Sequence, residues 1–167
     1  MRDLFYFVRR LLRNVLGRLD FLPPLLARIV IGFVFVKSGW GKLHNLDQVI
    51  GFFTELGIPA PGIQAPFVAG TELVCGALVG IGLATRLAAL PLIGTMVVAI
   101  ATALWEQIEG LNGLFGTSEF LYIVLLVGLV TGGGGRLSLD ALIAGARSWD
   151  PTGTGLAAAR SGVSSGA

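Results

Sequence analysis

The chain has 167 residues, 54% of them hydrophobic and only 13% charged, and its mean hydropathy is +0.81. Soluble domains carry roughly 25% charged residues, and a single core in so short a chain cannot hide this much apolar surface, which excludes a water-soluble globular enzyme. The small net charge of +2 accompanies no aromatic-interleaved basic groove, so the basic residues speak to membrane topology and anionic lipid, and no nucleic-acid partner is expected.

In residues 1–20, Leu4, Phe5, Val8, Leu11, Leu12, Val15, Leu16 and Leu19 fall on one side of a helical wheel and Arg2, Arg9, Arg10 and Arg13 on the other. This pattern predicts a basic amphipathic helix lying on the membrane surface. A cleavable signal peptide is the competing reading, opposed by Pro23-Pro24 and by the lack of a small-residue cleavage site. The two prolines instead mark the turn into a first spanning helix over about 22–42. At 100° per residue, Arg28, Gly32, Phe35, Gly39 and Lys42 share one stripe of it, with Lys37 on the opposite face. Small residues mark packed faces, so the stripe is expected inside and Lys37 outside.

The loop 45–59, with Val49, Ile50, Phe52, Phe53 and Leu56, is expected to form a short amphipathic or re-entrant helix ended by Gly57 to Gly62. A second span over 66–83 places Glu72 on one face with Ala69, Gly76 and Val79. Gly76-x-x-x-Gly80 is a small-residue packing motif, which serves the monomer or a homodimer equally well. The third span, 87–105, carries a stripe of Thr95, Ala99, Thr102 and Glu106. The fourth apolar run, 120–130, is too short alone, so the span is expected over 114–131, which forces Glu119 into the membrane beside Tyr122. The Gly-, Ala- and Ser-rich residues 146–167 read as a flexible tail.

The expected fold is therefore all-α, an integral membrane four-helix bundle preceded by an amphipathic interfacial helix. Arginines at positions 2, 9, 10, 13, 18, 86, 136, 147 and 160 fall on one side of the spans, and Lys42 with Asp47, Glu55, Glu106 and Glu109 on the other. Positive residues are retained inside, so both termini are expected in the cytoplasm and the bundle in the cytoplasmic (inner) membrane.

Ionisable residues at membrane depth are functional candidates. Glu72 is placed about 9 Å below the outer end of its expected helix and Glu119 about 8 Å below Leu114. Lys42 sits at the outer mouth and reaches down, so Lys42, Glu72 and Glu119 are expected as close neighbours, with Arg28 deeper on the same seam and Trp105 and Tyr122 as further lining residues. Such a set serves either as ion pairs holding helices together or as a pocket for a quinone or similar amphipathic ligand. In the pocket, Lys and Arg donate to carbonyl oxygens and a Glu exchanges the accompanying proton. His44 is the only histidine and Cys75 the only cysteine, which excludes a bis-histidine haem, a dithiol pair or a cysteine-ligated cluster within one chain. No metal-ligand spacing, phosphate loop or catalytic triad is visible, and no covalently bound cofactor is expected. Electron handling would need a diffusible quinone or a protein partner. A transporter is disfavoured, since no inverted repeat or broken-helix pattern is present.

Several segments in order resemble the DoxX family: Arg28 and Gly32, then Gly39-Trp40-Gly41-Lys42-Leu43, Phe52-Phe53, Leu56-Gly57-Ile58-Pro59, Glu72-Leu73 with Gly76, the run Leu78–Arg86 into Leu87-Ala88-Ala89, Glu119, and Gly133-Gly134-Gly135-Arg136-Leu137-Ser138-Leu139-Asp140. The resemblance covers about Leu25 to Ile143. It implies a small four-helix membrane protein acting beside redox or sulfur-metabolism partners, as in a subunit of thiosulfate:quinone oxidoreductase and a relative that resides with a superoxide dismutase and a thiosulfate sulfurtransferase. Other relatives act as membrane chaperones, which implies the alternative of a non-enzymatic scaffold.

Overall fold

The computed structural model describes Leu19 and residues 21–108 and 110–148. The expected surface helix over 1–20, apart from Leu19, and the tail beyond Ser148 lie outside the described residues. Among the described residues every regular element is helical. α1 (Leu22–His44) begins with prolines in its first turn, where their missing N–H groups go unneeded, and ends with Lys42 and His44 beside its free carbonyls. α2 (Leu46–Glu55) follows at once and buries none of its residues fully, as an amphipathic helix packed on one side does. α3 (Pro61–Ile81) starts five residues before the expected position, because Pro66 sits inside the helix and Pro61 opens it. α4 (Thr85–Ala99) continues into a π-helical turn (Ile100–Leu104) and a 3-10 turn (Trp105–Gln107).

The segment expected as one fourth span is broken. A short helix, α5 (Gly110–Phe115), is separated from α6 (Ser118–Gly132) at Gly116-Thr117, and the Thr117 hydroxyl accepts from the Phe120 N–H at 3.4 Å. That cap starts a new helix. α7 (Leu139–Ser148) is an element the sequence reading did not anticipate. Among the described residues three helices are long and apolar enough to cross a membrane, Leu22–His44, Pro61–Ile81 and Thr85–Leu104, and α6 is shorter at 15 residues.

α1 packs on α3, α3 on α4, α4 on α6, and α6 returns to α1. The α1–α3 contact is set by glycines: a Cβ on Gly32 would lie 2.6 Å from the Gly80 Cα, one on Gly39 2.5 Å from the Leu73 nitrogen, and one on Gly76 2.8 Å from the Phe35 Cβ. Gly76 and Gly80 therefore pack against α1 of the same chain, and the backbones approach as only small residues allow. The shared core is Ile31 and Phe35 from α1, Val79 from α3, Ala88, Ala89, Leu92 and Met96 from α4, and Leu126 and Leu129 from α6.

At one end, the segment from Gly133 to Asp140 folds back as a clasp. Arg28 Nη1 donates to the carbonyls of Gly134 (2.6 Å) and Leu137 (3.2 Å), and Nη2 to that of Gly80 (3.3 Å). The Asp140 carboxylate accepts from the backbone N–H groups of Ala84 (2.8 Å) and Thr85 (3.1 Å). It thereby caps α4 from a distant part of the chain, at a position where Ala84 is held at φ +48°.

Candidate functional site: a cavity at the Lys42 end

The opposite end holds a cavity of about 720 Å³, within the range of small-molecule sites. Its walls come from α1 (Phe35, Ser38, Lys42), α3 (Phe67, Thr71, Glu72), α4 and its π turn (Gly94, Thr95, Val98, Thr102) and α6 (Glu119, Tyr122), and the Phe52 and Phe53 side of α2 closes over it. α-Helices with an inserted π turn recur at functional sites, and this one borders the cavity directly.

Glu72 is 1% exposed and carries the polar end. One carboxylate oxygen lies 2.5 Å from Lys42 Nζ and the other accepts from the Ser38 hydroxyl at 2.8 Å. Lys42, whose side chain keeps 31% of its surface accessible, faces the cavity with donors to spare. A buried carboxylate without such partners would be held at great cost; here both oxygens are engaged by α1. Because α3 starts at Pro61, Glu72 lies eleven residues into it, about 16 Å along the axis rather than the expected 9 Å.

Of the six expected site residues, Lys42, Glu72, Glu119 and Tyr122 line this one cavity. Lys42 and Glu72 touch as expected. Glu119 does not join them in an ion pair: it stands in the first turn of α6, partly exposed, and accepts from the Ser118 hydroxyl at 3.0 Å. The break at Gly116-Thr117 puts its carboxylate at a helix start, where the positive end of the dipole favours it. Tyr122 meets Phe35 edge-on at 5.9 Å. Arg28 and Trp105 are elsewhere. Arg28 serves the clasp at the far end, fourteen residues from Lys42 and so about 21 Å away along α1, and Trp105 is 70% exposed outside the cavity. Lys37 is exposed, as its face predicted.

Ser38 is the residue sequence reasoning missed, though its spacing of four from Lys42 puts both on one side of α1. Thr95 and Thr102 line the cavity, but their hydroxyls donate to their own helix, to the Leu92 and Val98 carbonyls at 2.8 Å each. The arrangement is an apolar chamber with one neutralised, donor-rich corner and one separate carboxylate.

The DoxX family profile matches residues 24–105. The chain is 35% identical over 131 residues to "Uncharacterized membrane protein Rv3486" of Mycobacterium tuberculosis (strain ATCC 25618 / H37Rv), covering 71% of this chain and 80% of that protein. It is 32% identical over 121 residues to "Putative oxidoreductase CatD" of Bacillus subtilis (strain 168), covering 71% of this chain and 85% of that one. No solved structure matches the chain. Similarity of this extent over most of both relatives, together with the family match across α1 to α4, makes this chain a member of the DoxX family of membrane proteins.

Proposed function

We propose that this protein is a non-autonomous component of a membrane redox or thiol-stress system and that its cavity binds a quinone or similar small amphipathic ligand. The observation that carries the reading is the chamber of about 720 Å³, apolar along its walls and donor-rich where Lys42 meets Glu72. The oxidoreductase name of the Bacillus subtilis relative points the same way.

A quinone supplies a carrier for two electrons and two protons. Toward such a head group, Lys42 donates to a carbonyl oxygen while Glu72 and Ser38 hold the ammonium in place. Glu119 is the carboxyl group on the cavity wall outside the ion pair, and with a quinone bound it would pass the two protons, one after the other, between the head group and water. Phe35 and Tyr122 flank the ring space. Electrons come from a redox or sulfur-metabolism partner, since the chain has one histidine and one cysteine with which to handle them.

The broken pair α5 and α6 completes a fourth crossing, giving a four-helix membrane bundle in contact with lipid on its outer faces. Arg86 and Arg136 belong to the segments that meet at the Arg28 end, and Asp47, Glu55 and Glu106 to segments at the Lys42 end, which supports cytoplasmic termini in the cytoplasmic membrane and a cavity in the outer half. A second reading has its own observation. Both Glu72 oxygens are occupied by α1 side chains, as expected of a scaffold or chaperone whose ion pair only fixes the α1–α3 register. Native mass spectrometry with quinone extraction on gently purified wild type and Glu72→Gln separates the two. A quinone retained by wild type and absent from the folded variant supports the pocket; no small ligand in either, with a stable dimer or protein partner in both, supports the scaffold.

A further inference from the structure

The cavity residues on α3 and α4 are confined to the halves of these helices remote from their shared turn: none on α3 follows Glu72 and none on α4 precedes Pro91. Glu72 lies nine residues before the end of α3 and Gly94 nine residues after the start of α4, so the two stand level in an antiparallel hairpin. Beside them, Phe67 is 72% exposed and Val98 50% exposed, and both line the cavity while facing outward from spanning helices. Gly94 is exposed as well, and a Cβ placed on it would meet no atom within 4 Å. The chamber thus opens sideways between α3 and α4, at the height of its polar corner, onto the surface that lipid covers. On the side toward water, the apolar face of α2, through Val49, Phe52 and Phe53, stands over it.

The charges in the wall add a second constraint. Lys42 contributes one positive charge, and Glu72 and Glu119 contribute two negative ones. An anionic head group, such as a fatty acid or a phospholipid phosphate, would meet a corner already neutralised and a spare carboxylate nearby. A neutral head with hydrogen-bond acceptors meets Lys42 without that penalty.

We propose that the cavity is a lateral site for a membrane-dissolved amphiphile with an uncharged, acceptor-bearing head and a linear hydrocarbon tail, the head at Lys42 and the tail leaving between α3 and α4 past Gly94. The absence of a side chain at Gly94 keeps the slot open and makes this glycine the residue that decides whether a tail is accepted. The assignment rests on the ligand pocket proposed above and names how that ligand enters and what shape it has.

The test uses the full chain in lipid nanodiscs and two probes: a naphthoquinone with a prenyl tail and its tail-less methyl counterpart. The tailed probe also carries a diazirine on the tail for photolabelling. Wild type is expected to bind both and to be labelled by the tail on residues 67 and 94–98. Gly94→Leu, which meets open space and improves a helix-interior position, is expected to weaken the tailed probe at least about tenfold more than the tail-less one, because the added side chain fills the tail's path. Equal weakening of both probes, no weakening, or tail labelling confined to α2 would overturn the lateral slot while leaving the pocket standing. Wild type that binds neither probe would overturn the pocket and the slot together. Capture of an anionic phospholipid in preference to both probes would overturn the uncharged-head assignment.

Discussion

The Lys42–Glu72 pair makes an asymmetric prediction. Glu72 is 1% exposed and Lys42 31% exposed on its side chain. In Lys42→Met the carboxylate stays buried with only the Ser38 hydroxyl, 2.8 Å away, to satisfy it. Breaking a buried pair from that side costs about 3–5 kcal/mol. In Glu72→Gln the amide oxygen replaces the carboxylate toward Lys42 and the NH₂ donates to the Ser38 oxygen, which turns its hydroxyl away. Both contacts survive without their ionic component, and Lys42 is accessible enough to swing toward water, so the loss is about 1–2 kcal/mol. The double variant Lys42→Met/Glu72→Met removes both charges and fills the space with apolar volume, which is close to neutral for a buried pair. Reversible unfolding in mixed micelles measures all of these, and the single variant Glu72→Met closes the double-mutant cycle with Lys42→Met and the double variant. The order expected is Lys42→Met worst, Glu72→Gln intermediate and the double variant near wild type. Additive losses, or Glu72→Gln more damaging than Lys42→Met, would show that the two side chains are not coupled as the geometry requires.

Other consequences follow from single contacts. Gly39→Ala should destabilise the α1–α3 contact by about 1–3 kcal/mol in the same unfolding assay, since its Cβ would sit 2.5 Å from the Leu73 nitrogen and backbone must move. Gly41→Ala, with open space around the new Cβ, is its control and should be neutral or slightly stabilising. Asp140→Ala should cost about 0.5–2 kcal/mol by uncapping α4, with faster hydrogen exchange at Ala84 and Thr85. An unchanged exchange rate at those two amides would rule out the cap.

Helical periodicity made the buried stripe of α1 legible, and Arg28, Gly32, Phe35 and Gly39 are buried as it required. Periodicity reports the face and not the depth. Arg28 and Lys42 share a stripe but sit about 21 Å apart, so one belongs to the clasp and the other to the cavity, a separation that fourteen residues of helix already implied. The glycine motif on α3 was legible as a close contact, but its partner was not, because small residues permit approach without naming what approaches. The break before α6 has a local mark in Gly116-Thr117 with Glu119 just beyond, but a length argument that needs a full span runs straight across it. The π turn at Ile100–Leu104 and the capping of α4 by Asp140 arise from tertiary packing and carry no local pattern. Ser38 escaped because uncharged hydroxyls are ordinary in membrane helices, and only the carboxylate across from it gives this one a role.

The most direct test of the cavity as a ligand site is equilibrium binding of a tailed quinone to the full chain in nanodiscs, wild type against Lys42→Met/Glu72→Met. The double variant keeps the fold while removing the donor corner, so binding should fall by an order of magnitude or more with unfolding stability unchanged. Equal binding by two equally stable proteins would mean that the Lys42–Glu72 corner does not recognise the ligand.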